Sequence, residues 1–290
     1  MAGNEMSEDE ILEGESALPA VASANPTTPV PADLLRTAAD PALTEDLALA
    51  LLKRADLPSE VLEQLAKNAK ALKSRKVKIA LASHPHTPRH VSVPLARQFY
   101  TFDLLKVALS PRVPADVKVT VDDVLISRLR TVTTGERLTL ARRASGRVAA
   151  ALLLDVESGD GKIGDHKTID GKVVSGKIID AETVARETRV MRTALENPRL
   201  TEALVINSVL RPAASAALVH AVAQHAKWSR RREIRAALLR SAHLSLARAL
   251  EFSHEIPVPL LQEILASSRL SAKIKKQLLR QGSVTAPNPR

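Results

Sequence analysis

The sequence predicts an all-α protein, a right-handed α-solenoid of stacked short helix pairs. Three observations carry that expectation. The segment Asp40-Pro41-Ala42-Leu43-Thr44-Glu45-Asp46-Leu47 returns as Asn197-Pro198-Arg199-Leu200-Thr201-Glu202-Ala203-Leu204, identical at five of eight positions. Looser copies at 84–91 and 241–248 each begin 44 residues after one of these. A helix-start signal at a fixed offset marks an array in which each unit buries its apolar stripe only against its neighbours. Hydrophobic residues make up 45% of the chain but aromatics only 2%. The apolar content is therefore Ala, Leu and Val, which suits close-packed helices better than a sheet sandwich. Gly is scarce, at ten residues, and half of them fall between Gly159 and Gly176; a loop-rich enzyme would spread them more widely.

Taken in order, residues 1–32 join an acidic run to four prolines between Pro19 and Pro31, without apolar periodicity. That composition predicts a disordered tail. Residues 33–155 read as N-terminal helical repeats. Leu47, Leu51 and Leu52, then Val61, Leu62 and Leu65, have the i, i+3, i+4 spacing of two amphipathic helices broken at Leu57-Pro58-Ser59. Ser59 reads as the cap of the second, with Glu60 and Glu63 in its first turn. A further pair runs from Pro88 through Phe99 and from Leu104 to Leu109. Val117 to Leu129 then presents Val121, Val124, Leu125 and Leu129 on one side, and Thr134-Gly135-Glu136 opens the next helix. The recurring Pro after Asp40 or Asn197 is expected at the first helical position, with Asp40 and Asn197 as caps.

Residues 156–180 interrupt the pattern as a Gly-rich inserted loop or hairpin, with Asp170-Gly171 as its turn. Helical repeats resume over 181–280, and 281–290 reads as a tail.

Composition also bounds the function. The chain has no Cys, which excludes a disulfide framework and thiolate metal sites. An acidic N-terminus and the lack of about eighteen consecutive apolar residues predict neither an export signal nor membrane insertion, hence a cytoplasmic protein. The net charge of +10 hides an asymmetry: the first thirty residues hold six acids and no Lys or Arg, so the other 260 carry 42 basic and 26 acidic groups, a formal +16. Such a surface suits an acidic partner: nucleic acid, an anionic membrane surface or an acidic protein tail.

The carrying segments Gly135-Glu136-Arg137-Leu138-Thr139-Leu140-Ala141-Arg142-Arg143, Leu195-Glu196-Asn197-Pro198-Arg199-Leu200-Thr201 and Gln224-His225-Ala226-Lys227-Trp228, leading into Arg235-Ala236-Ala237-Leu238-Leu239, resemble bacterial HEAT-like or leucine-rich-repeat-variant α-solenoids. The resemblance covers residues 33–280. It implies an armadillo-like helical scaffold that works as a binding surface.

Three patterns invite chemistry. Gly171 to Ile178 matches a phosphate loop up to its Gly-Lys but ends in Ile where magnesium needs Ser or Thr, so no nucleotide or other cofactor is expected. His84, His86 and His90 could offer imidazoles to a metal, but they straddle a helix start, and no metal site is predicted. Trp228 beside Arg230, Arg231 and Arg232 invites comparison with HEAT-like DNA glycosylases, which stack a base on several aromatics; one Trp is thin support, and an inter-helix plug is the plainer role. The strongest functional signal is the Arg-rich C-terminal half. Its expected partner-binding residues are Arg230, Arg231, Arg232, Arg235 and Trp228, since guanidinium forks suit carboxylates and phosphates. The expected function is a non-enzymatic scaffold or adaptor holding an acidic protein partner. The alternative is a nucleic-acid-binding solenoid that grips phosphates.

Overall fold

Helices of eight or nine residues are marginal in water and persist only when neighbours cover their apolar stripe; most helices of this chain are of that length. The computed structural model describes residues 32–155 and 181–284. Among these residues it contains α-helices, one 3-10 turn and no strand. The helices are α1 (Ala32–Ala39), α2 (Glu45–Lys53), α3 (Ser59–Lys67), α4 (Arg75–Ala82), α5 (Arg89–Arg97), α6 (Thr101–Leu109), α7 (Ala115–Arg128), α8 (Thr134–Arg143), α9 (Gly146–Leu154), α10 (Ala181–Leu195), α11 (Glu202–Leu210), α12 (Ala216–Gln224), α13 (Arg232–Arg240), α14 (Leu246–Ser253), α15 (Val258–Ala266) and α16 (Ala272–Val284). The 3-10 turn, Ala71–Lys73, precedes α4. Packing runs mostly between a helix and the next but one: α1 on α3, α2 on α4, α5 on α7, then α7, α9, α11, α13 and α15 in sequence, with α8 on α10, α10 on α12 and α14 on α16. The buried side chains join into one core from Ala38 to Leu278.

The turns do as much as the helices. Asn68 opens one: its Oδ1 accepts from the N–H groups of Lys70 and Ala71, and its Nδ2 donates to the carbonyls of Ala38 and Asp40. Asn197 repeats this, its Oδ1 accepting from Arg199 N–H at 2.8 Å and its Nδ2 donating to Ala141 and Ala144. Ser268 accepts from Leu270 N–H and donates to Leu239 O at 2.6 Å. Each braces its own turn and ties it to the end of an earlier helix. Three residues after the turn opens, an apolar side chain is buried: Leu43, Leu57, Ala71, Val113, Leu200, Ala214, Trp228 and Leu244.

Several sequence expectations need correction. Pro41 and Pro198 lie within turns, and the helices that follow start at Glu45 and Glu202 behind Thr44 and Thr201. Asp40 and Asn197 therefore brace turns and do not cap helices; Thr44 accepts from Leu47 N–H in the capping role. Ser59 is already helical behind Pro58. Leu47 is 47% exposed, because Ala48, Leu51 and Leu52 form the buried face of α2. Helix α16 continues through residues 281–284, where a tail was expected. The helix expected at Thr134 is present, with Thr133 and Glu136 forming a capping box. The expected tail at 1–32, apart from Ala32, and the insertion at 156–180 with its hairpin lie outside the described residues.

Two substitutions test this packing. A Cβ on Gly146, the first residue of α9, would stand 2.3 Å from the Arg199 carbonyl oxygen. Backbone must move, so Gly146→Ala is expected to cost about 1–3 kcal/mol in chemical denaturation. Asn197→Ala strips partners from two buried carbonyls and is expected to cost about 2–3 kcal/mol.

Candidate partner-binding surface

The Arg-rich stretch spans the turn before α13 and the helix itself. Trp228 fills the buried slot of its turn at 1% exposure, and its Nε1–H donates to Leu195 O at 2.9 Å. Lys227 Nζ lies 4.1 Å from the ring centroid. The indole thus ties α10 to the α13 turn, and its ring is closed to a nucleobase or a partner. That corrects its assignment to the binding surface and supports the inter-helix plug.

The arginines divide into two sets. Arg231 donates to Glu202 at 3.1 Å. Arg235 Nε donates to Ser229 O at 2.6 Å, its Nη1 pairs with Glu255, and its guanidinium lies over the Phe252 ring. Arg235 is a clasp with its side chain only 15% exposed, whereas Arg231 ties its turn to Glu202 with a side chain that stays 53% exposed. Arg230 and Arg232 are exposed and make no hydrogen bond or ion pair with any described residue. Farther along, Arg248 pairs with Glu251 and Lys275 donates to Ser268 O, while Lys273 and Lys276 are exposed. The structure therefore separates the predicted set: Arg230 and Arg232 face solvent, whereas Arg231, Arg235 and Trp228 hold elements together. No sequence signal announces that Glu202 and Glu255 would meet those arginines.

The three histidines of the N-terminal half are similarly employed. His84 Nε2 donates to Arg54 O at 2.8 Å while its Nδ1 accepts from His86 N–H. His86 Nδ1 lies 2.9 Å from Leu57 O, and His90 lies 3.5 Å from Glu63. Among the described residues no group of three or more His, Asp or Glu is placed to hold a metal ion. In His84 the bond pattern requires the neutral ring, because Nδ1 must keep its lone pair. Burial lowers its pKa and outweighs the favourable bond to Arg54 O. His225 is lowered by burial too, and its Nδ1 accepts from Lys227 N–H. Asp122 is raised by burial, with the Ser145 hydroxyl donating to its Oδ2 at 2.7 Å.

For a histidine whose folded pKa lies below its unfolded value, the unfolded chain binds the proton first, so stability is lost as the pH falls from about 6.5 through the lowered folded value. Urea denaturation at about pH 7.5 and about 5.5 is expected to show lower stability at the acid end. His84→Asn, which keeps a donor and an acceptor but no titration, is expected to flatten that difference. The Asp122 carboxyl changes stability in the opposite sense: its folded value is raised, so the stability it adds is present at low pH and lost as the pH rises from the ordinary carboxylate range through the raised value.

Compared with protein-family models, curated proteins and solved structures, the chain matches none.

Proposed function

We propose that this chain is a non-enzymatic helical-repeat scaffold, a right-handed α-solenoid that holds an acidic protein partner on its basic C-terminal half. What carries the reading is the pairing of exposed, uncommitted guanidiniums at Arg230 and Arg232 with a lack of exposed large aromatics: in the described part of the C-terminal half, Trp228 and Phe252 are both buried. Carboxylates need only the guanidinium forks. Single-stranded nucleic acid is held in large part by stacking on aromatic faces, and that platform is missing from this surface. Packing of most helices on the next but one, with bonds reaching from one turn to an earlier helix end, is what a stacked array requires, and it supports the solenoid reading.

Fluorescence anisotropy of the full chain with a labelled Glu-rich peptide, beside single- and double-stranded DNA and RNA, tests the reading at about 50 and 200 mM salt. Saturable peptide binding, weakened about tenfold or more by Arg230→Glu with Arg232→Glu, is the expected outcome. Tight nucleic-acid binding that collapses about a thousandfold or more between the two salts would replace it with the phosphate-gripping reading.

A further inference from the structure

At the ends of α11, α13 and α15 three arginines come together around a cleft of about 230 Å³: Arg211, Arg240 and Arg269, with His243 and Ser241 beside them. They are spaced 29 residues apart in the chain, and no Asp or Glu lines the cleft. None of the three guanidiniums has a hydrogen bond or ion pair with a described residue. Ten other described arginines have carboxylate partners: Arg54, Arg75, Arg89, Arg130, Arg137, Arg147, Arg186, Arg231, Arg235 and Arg248.

A second observation is independent of the charge. Ser241 occupies the turn-opening position that Asn68, Asn197 and Ser268 use to brace their turns and bond to an earlier helix. Ser241 is 6% exposed, yet its hydroxyl makes neither bond, and the Nε of Arg240 beside it is also buried without a partner. An unmade bond at a buried polar atom is costly, so such groups in a native protein call for a partner. Here the brace is undone where space and positive charge collect. Helix C-termini oppose anions, but each contributes only about half a negative charge, so three such ends leave the three arginines in clear excess.

We infer that this cleft binds a phosphate-class dianion, held by the Arg211, Arg240 and Arg269 guanidiniums and a Ser241 hydroxyl that turns its proton toward it. A carboxylate presents one plane to such a set; a tetrahedral dianion offers an acceptor to several forks at once. The site stands apart from the Arg230 and Arg232 surface, and it can hold or fail whichever way the adaptor reading falls. Its phosphoryl group could belong to a free small molecule or to a phosphorylated peptide, and the chemistry of capture is the same.

Isothermal titration of the full chain with inorganic phosphate, at constant ionic strength and with acetate as the comparison anion, tests the inference. Saturable binding of phosphate and weaker or no binding of acetate is expected. Arg211→Gln is expected to weaken phosphate about tenfold or more, the loss of one charge-assisted bond. Ser241→Leu is expected to fill the floor of the cleft and abolish binding. Should that variant misfold, Arg211→Gln decides alone, since Arg211 is exposed and holds nothing in place. A phosphoserine peptide that binds more tightly than inorganic phosphate, while its unphosphorylated twin does not, assigns the phosphoryl group to a protein; equal or weaker binding assigns it to a small molecule. No saturable phosphate binding overturns the inference. So does equal weakening by Arg36→Gln on α1, which would reduce the effect to diffuse attraction by net charge.

Discussion

A polar side chain that opens a turn and bonds in two directions sets the geometry of this protein. Its acceptor holds the turn by taking an N–H two residues on, and its donor reaches a carbonyl at the end of a helix some thirty residues earlier or, across the insertion, more than fifty. Asn does both with one amide, as does a neutral imidazole or, less completely, a hydroxyl. These bonds satisfy carbonyls that every helix C-terminus leaves orphaned. They also fix how far each helix is offset from the one it packs on. Without that clamp, short stripes of Ala, Leu and Val would have many nearly equivalent ways to slide past one another. Burial supplies the drive, and the turn residues supply the register.

The choice among Asn, His and Ser at this position has a chemical consequence. Asn carries donor and acceptor at every pH. His carries both only while neutral, so placing it at 84 and 225 makes those two turns responsive to acid while the Asn turns at 68 and 197 are not. Burial and bond pattern act in the same direction there: each penalises the imidazolium, one by desolvation and the other by removing the lone pair that the turn needs.

Much of this was legible in the residues. The all-helical character followed from the Ala and Leu content and the i, i+3, i+4 spacings, and the return of the Asp40 segment at Asn197 located two turns, although both residues read as helix caps where the structure has them holding turns. The period was misjudged. Turns open at 40, 54, 68 and 84, and again at 197, 211, 225 and 241, so the physical unit is one helix with its turn, fourteen or sixteen residues long. A 44-residue offset spans three such units, which is why it joined only some of the turns. The buried slot three residues into each turn was also present in the sequence, as Leu43, Leu57, Leu200 and Leu244, and it would have placed Trp228 in the core before any coordinates. Pairing of Arg231 with Glu202 and of Arg235 with Glu255 was not legible, because it depends on which helix ends meet across one or two units.

That distinction explains why an Arg-rich sequence is a poor map of a binding surface in this fold. Where a helix packs on the next but one, residues about thirty positions apart become neighbours, so an arginine at one helix end meets whatever the neighbouring helix end presents. Where it finds a carboxylate, as Arg231 does, its charge is consumed in holding units together, at a modest gain because the pair is partly solvated. Where the ends of alternate helices present only arginines, as at 211, 240 and 269, nothing in the cleft neutralises them, and their mutual repulsion is a standing cost. Such a cost at one place, beside a turn whose bracing hydroxyl makes no bond, is better understood as the empty-handed side of an interaction than as a solvated face. The same geometry that spends some arginines on holding helices together leaves Arg211, Arg240 and Arg269 concentrated at one cleft.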